Sequence, residues 1–231
     1  MSERSRFWVV TLAAVLGMAV TAALGRWQLG RAAEKEALQA AIEVRAQQPV
    51  LDARAAAGMD AQPDLLHRRV EARGQWVGER TVFLDNRQMN GRPGFFVVTP
   101  LRLEGGAGVL LVQRGWVPRN FEDRTRVPAV ETPSEPVVVE GRLAAPPSRL
   151  YEMGPAEAGA IRQNLDLAQF RAETGLPLAG LSIQQTGAAA DGLLRDWPQI
   201  NTGVDKHYGY AFQWFGLCSI MAFLYVEFQI V

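Results

Sequence analysis

His207, Tyr210 and Trp214 stand three and four residues apart at the start of an apolar run near the C-terminal end of the chain. At helical spacing they share a face with Ala211, Cys218 and Met221. That face offers an imidazole near the water side of a membrane and flat aromatic surface one to two turns deeper. Haem needs these parts: an axial nitrogen, apolar contacts for the ring and a polar rim for the propionates. Lys206 and Arg26 are candidates for the rim. The plainer reading is an aromatic belt, in which His207, Tyr208, Tyr210 and Trp214 fix the depth of a helix at the interface. This stretch alone leaves both readings open. Gln213 reads as a helix–helix hydrogen bonder rather than a ligand.

Other reactive groups are sparse. His67, among charged residues ahead of a predicted strand, reads as a solvated or loosely bonded loop residue. The one cysteine, Cys218, lies in the apolar run, where burial raises a thiol pKa and favours packing over reactivity. A disulfide within one chain is impossible, and no cysteine pair serves zinc or covalent haem attachment. The six methionines form no copper-binding cluster. The G-x-S-x-G, H-E-x-x-H, P-loop and G-x-G-x-x-G motifs are all missing, so most enzyme classes lack their parts here. Converging carboxylates are the one catalytic alternative, and nothing points to them. With 24 basic and 24 acidic residues the net charge is zero, so there is no electrostatic case for nucleic acid.

The elements that must position His207 begin with two apolar segments. Phe7–Leu24 carries no charge, and Tyr208–Phe228 carries only Glu227. The first spans about 27 Å as a helix, close to a hydrocarbon core of about 30 Å. The expectation is a membrane protein with two transmembrane helices, residues 7–25 and 207–231. A tail (1–6) precedes the first, and an extramembrane β-rich α+β domain (26–206) lies between them. Arg4, Arg6 and the small residues Thr21–Ala23 also suit a cleaved signal peptide. The length of the run favours a retained anchor. So does the stripe Ala13, Gly17, Thr21 and Gly25, which lets a second helix approach closely. Arg26, Arg31 and Lys35 follow the first segment, and a positive-inside count puts the large domain in the cytoplasm.

The first helix is predicted to continue to about Gln47, stopped by Pro49. Trp27 suits the membrane interface. Strands are expected at 69–77, 81–86, 94–103, 108–117 (broken by Gly115), 136–143 and 180–185. Pro100 is expected at an edge or bulge. Gly105 and Gly106 read as a hairpin turn. A helix over 167–174 has Asp166 as its cap and Gly175 as its stop. The alanine-rich segment 52–64 reads as poorly ordered, and 119–136 as a long loop. In the R-G-W segment, Gly115 allows a bulge, Trp116 suits a strand core, and Arg114 is expected to pair with a carboxylate such as Asp85.

Six stretches stand out together: Gly25–Leu29 (GRWQL) with Arg31, Arg69–Val70 with Gly74, Pro93–Leu101 (PGFFVVTPL), Val112–Pro118 (VQRGWVP), Val139–Leu143 (VEGRL) and His207–Phe215 (HYGYAFQWF). In combination they resemble the surfeit locus protein 1 family of cytochrome c oxidase assembly factors, with Gln113 where the family has Asn. The resemblance implies a non-enzymatic protein of the bacterial inner membrane whose domain faces the periplasm, against the charge count. The short N-terminal tail looks bacterial. The implied partner is the catalytic subunit of cytochrome c oxidase, with the haem A synthesis machinery a further one. Haem A is implied as a transient ligand, with His207 as candidate iron ligand and Tyr210 and Trp214 packing the macrocycle. Arg26, Trp27, Arg114, Gly115 and Trp116 fall in motifs that serve partner contact or the fold. The alternative is a scaffold that holds the nascent oxidase subunit without touching haem.

Overall fold

The computed structural model describes residues 2–58, 63–120, 122–123, 127–151, 159–187, 191–197 and 203–229. The chain divides into two compact units, Met1–Ala41 with Ile200–Val231, and Ile42–Gln199.

The first unit is a pair of helices, α1 (Glu3–Gln47) and α4 (Val204–Gln229), both long and apolar enough to cross a membrane. α1 runs on beyond its apolar part to the end predicted from Pro49. The two helices pair antiparallel. Thr11 Oγ1 meets Tyr225 Oη at 3.0 Å, Cys218 Sγ lies 3.5 Å from the Met18 carbonyl, and Tyr208 Oη donates to Glu36 at 2.8 Å. Partners run down α4 as they run up α1.

The second unit is built on an eight-stranded sheet ordered β1-β2-β6-β8-β5-β4-β3-β7. The strands are β1 (Leu51–Asp52), β2 (Arg69–Trp76), β3 (Val82–Met89), β4 (Arg92–Leu103), β5 (Val109–Pro118), β6 (Val137–Ala144), β7 (Ile161–Arg162) and β8 (Leu178–Gln185). An additional antiparallel β2–β4 pairing closes five of them, β2-β6-β8-β5-β4, into a barrel. β8 lies antiparallel to β6 and parallel to β5. The lumen holds Val70, Ala72, Leu101, Leu110, Val112, Leu143, Leu181 and Ile183. A second core forms where Phe170 of α3 (Leu167–Thr174) joins Leu84, Val98 and Leu111. α3 begins and ends as its sequence dictates. Asp166 accepts from the Gln169 N–H at 3.0 Å, and Gly175 takes the left-handed conformation.

Closure depends on two strands that change neighbours midway. On one edge, β2 pairs with β1 at Val70–Glu71 and then with β4 from Gly74 to Trp76. β4 pairs with β3 as far as Val98 and with β2 from Leu101. Pro100 sits at that handover, inside a strand rather than at an edge or bulge, opposite Leu111 of β5. Its carbonyl accepts from the Val77 N–H at 2.9 Å. Carbonyl and nitrogen of one strand residue face the same side, so the donor that proline lacks falls in the gap between β3 and β2. The β5 ladder loses nothing.

Other expectations are revised. Segment 52–64 is not disordered over its described residues. Asp52 caps α2 (Ala53–Ala57), and Ala53 and Ala56 are fully buried against the barrel core, because their small side chains let a short helix lie on it; residues 59–62 lie outside the described set. β3 continues past 86 to Met89 and enters a tight turn at Asn90–Gly91, both at positive φ. β7, only two residues long, carries no readable alternation. β5 is not broken at Gly115. It runs on to Pro118 and absorbs a bulge, since Val97 pairs with Gly115 and Val98 with Gln113, leaving Arg114 as the extra residue. The glycine pair 105–106 forms the expected turn between β4 and β5, with φ near 73° at both. Described residues of 119–136 carry no helix or strand. The main chain of His67 is held in place, at φ 71° with its backbone N–H donating to the Leu143 carbonyl at 2.8 Å, and its side chain is half-buried.

Two predictions follow from this framework. A methyl group on Gly74 would lie 2.1 Å from the Arg102 carbonyl oxygen, across the closing pair of strands. Gly74→Ala is therefore expected to cost about 3 kcal/mol of domain stability. Gly58→Ala, which meets nothing within 4 Å, is expected to stay within about 0.5 kcal/mol. Denaturant unfolding of the full chain in detergent, followed by tryptophan fluorescence, compares them. The His67 imidazole is pushed below its ordinary pKa by burial, then by Arg142 and Arg45. The unfolded chain thus binds this proton more readily, so stability is full above about pH 6.5 and falls as pH drops below it. His67→Asn, which tolerates positive φ, is expected to flatten that slope in the same unfolding assay run from pH 7.5 to 5.

Candidate functional site

The site in the helix pair is built on close approach. Thr21, Gly25, Gln28 and Ala32 are the buried residues of α1, spaced four, three and four apart. This is the continuation of the small-residue stripe, and it meets α4 along His207, Ala211, Phe215, Cys218 and Met221. A Cβ on Gly25 would come within 2.8 Å of the Phe215 ring, and one on Gly17 within 3.1 Å of Met221 Sδ. Ala211 is the buried residue of α4. At the head of the seam, His207 Nδ1 lies 2.7 Å from Gln28 Oε1. That contact occupies one ring nitrogen, and among the described residues Nε2 makes no hydrogen bond. Such an imidazole can serve as a single neutral nitrogen donor.

The aromatic neighbours are arranged differently from the expectation. Trp214 is half-buried beside the seam, while Tyr210 is 52% exposed and turned outward. Phe215, one residue on from Trp214, fills the glycine gap instead. Gln213 does not bridge the helices. It lies two residues beyond Ala211, about 200° around the helix, and is exposed. Gln28 makes the interhelical bond. By the same geometry Arg26 lies away from the seam and does not join a rim with His207. It lines a shallow groove of about 420 Å³ with Trp27, Gly30 and Arg31. Lys206 is exposed next to His207. Gln28 and Ala32 were legible as the next two steps of the stripe, but the polar character of Gln28 hid it.

The R-G-W residues belong to the barrel unit. Arg114, the bulge residue, is almost wholly buried, with its guanidinium 4.7 Å above the Trp76 ring. It donates to Thr132 Oγ1 at 2.8 Å and to the Glu131 carbonyl at 2.6 Å, and pairs with Asp191 at 3.4 Å. Asp85 pairs with Arg119 instead. Arg195 pairs with Asp191 at 2.7 Å and donates to the Arg114 carbonyl. Burial pulls the Arg114 guanidinium below its ordinary pKa, and Asp191 offsets part of that; arginine stays charged regardless. Gly115 leaves the space that Leu193 and the Leu194 carbonyl occupy. Trp116 is fully buried and donates from Nε1 to the Arg87 carbonyl at 2.9 Å. A cavity of about 260 Å³ borders this network, lined by Trp76, Arg114, Asp191, Arg195 and the valines of β6. Asp191 and Arg195 carry no sequence signal, since neither stands in a recognisable pattern with Arg114. Among the described residues, no group of three or more His, Cys, Asp or Glu side chains could hold a metal ion.

These features define a class: a small barrel domain inserted between two helices of membrane-spanning length and composition, with a histidine at the head of their seam. The chain belongs to the SURF1 family, whose pattern matches residues 15–219. A "SURF1-like protein" of Rickettsia felis is 24% identical over 94% of this chain and 96% of its own length. "Surfeit locus protein 1" of Arabidopsis thaliana is 30% identical over 54% of this chain and 38% of its own. The "Cytochrome oxidase assembly protein SHY1" of Saccharomyces cerevisiae is 29% identical over 41% and 24%.

Asp191 is the carboxylate that holds two buried arginines together. Asp191→Ala is expected to destabilise the barrel unit by about 3 kcal/mol, because it removes the carboxylate that the two buried guanidinium groups share. Half-buried Glu71, paired with the exposed Arg73 at 3.1 Å, serves as the control, and Glu71→Ala is expected to change stability by less than about 1 kcal/mol. Both are read by denaturant unfolding of the full chain.

Proposed function

We propose that this chain is a non-enzymatic assembly factor for cytochrome c oxidase that holds haem A transiently at His207 before the catalytic subunit takes it. Family membership and the printed name of the yeast relative support the oxidase as the destination. The observation that carries the haem reading is the imidazole at the head of the helix seam, with Nδ1 engaged and, among the described residues, no hydrogen bond to Nε2. The residues fit a porphyrin held from one side. His207 would supply one nitrogen donor to the iron, Tyr210 and Trp214 lie about one and two turns deeper along α4, and Lys206 would offer charge at the polar end. When bound, haem supplies the iron that accepts the imidazole nitrogen. A single bond from the protein to the iron would suit release, because the holder must bind less tightly than the final site. The domain is placed on the periplasmic side of a bacterial inner membrane, and the haem A synthesis machinery is the neighbour from which the ligand would come.

The second reading makes the chain a scaffold for the nascent oxidase subunit. The same contact favours it: there His207 only fastens α4 to α1, together with the Tyr208–Glu36 bond. His207→Ala separates the two. Protein purified from cells that make haem A is expected to show a haem absorption band that falls at least tenfold in the variant. Equal haem content and an identical spectrum in parent and variant leave only the scaffold.

A further inference from the structure

Gln28 is a polar side chain that α1 buries in the seam, only 9% exposed, and the proposed function leaves it without a task. It lies between Gly25 and Ala32, both buried, with Ala211 buried on the opposite helix. Its Oε1 is 2.7 Å from His207 Nδ1. An amide oxygen carries only lone pairs, so a contact this short with a ring nitrogen requires a proton between them, on Nδ1. A neutral imidazole free in water exchanges between its two tautomers and rotates about its Cβ–Cγ bond. A fixed acceptor on a neighbouring, close-packed helix removes both freedoms.

We infer that Gln28 is a positioning residue: by accepting a hydrogen bond from His207 Nδ1–H it holds the imidazole in the tautomer and orientation that present the Nε2 lone pair to an iron porphyrin. This rests on the haem-holding reading of His207. The choice of an amide follows the same logic. A carboxylate in this place would raise the basicity of the ligand and tighten its bond to iron, and would put a charge at the membrane boundary. Gln28 orients without doing either, which fits a histidine that has to let go. The partner is set by the seam itself, because the glycine at position 25 brings the helices close enough for one amide side chain to reach across.

The test uses the full chain in detergent micelles, labelled with 15N-histidine, and ferric protoporphyrin IX as the probe. The ligand-free parent is expected to show His207 protonated at Nδ1. Gln28→Leu is expected to bring up the Nε2–H form and to weaken binding of the probe about 10- to 100-fold. Gln28→Glu retains an acceptor oxygen and is expected to restore the Nδ1–H signal and to bind the probe at least as tightly as the parent. A parent protonated at Nε2 overturns the inference. So does Gln28→Leu with unchanged affinity and visible spectrum, or Gln28→Glu no better than Gln28→Leu. His207→Ala separates the levels. If it binds the probe as the parent does, the haem-holding reading falls and this one with it. If it loses the probe while Gln28→Leu keeps it, only the role of Gln28 falls.

Discussion

The helix pair depends on how closely two backbones can approach. Where lipid surrounds a helix there is no hydrophobic gain in joining another, so association rests on packing and on a few interhelical hydrogen bonds. Gly17, Thr21 and Gly25 remove the bulk that would hold α4 away, and Phe215 and Met221 fill the space they leave. Once the seam is set, its register decides which polar residues meet at its ends. Gln28 meets His207, Glu36 meets Tyr208, and Thr11 meets Tyr225. The histidine is therefore placed by residues that have no chemistry of their own.

The barrel unit uses a related device in water. Gly74 lets β4 lie against β2, and Pro100 marks where β4 leaves β3 for β2. The bulge at Arg114 then does two things. It turns a charged side chain inward onto Trp76, and it keeps Trp116 in phase with the core. Burying two guanidinium groups is tolerable only because Asp191, Thr132 and main-chain carbonyls receive them. The R-G-W segment thereby ties β5 to the segments at 131–132 and 191–195.

Much of this was legible. Both apolar helices, the reach of α1 to Gln47, α3 with both its caps, and six of the eight strands follow from periodicity and turn chemistry. What was not legible depends on distant partners. Pro100 looked like an edge residue because a sequence does not show that its strand changes neighbours. Ala53 and Ala56 looked like filler because alanine is equally at home in a loose linker and against a packed core. Asp85 and Asp191 are indistinguishable as partners for Arg114 until the bulge sets the direction of the side chain. In the helix pair, the stripe meets the α4 face of His207, Ala211, Cys218 and Met221 that the helical count points to, but the count did not show that Phe215 would fill the glycine gap. Tyr210 and Trp214 share a face with His207 by count, yet the axis of contact runs through Ala211 and Phe215, which leaves Tyr210 outside.

The last strand in the chain, β8, sits between β5 and β6 rather than at a rim. Until residues near 185 have been synthesised, those two strands each present an unsatisfied edge, and the barrel exists only as a partial sheet. Its long-range pairings are slow to form, and open strand edges recruit neighbours. The newborn chain thus spends an interval tethered by α1, with a sticky half-built sheet, before its own late segment wedges in and seals it.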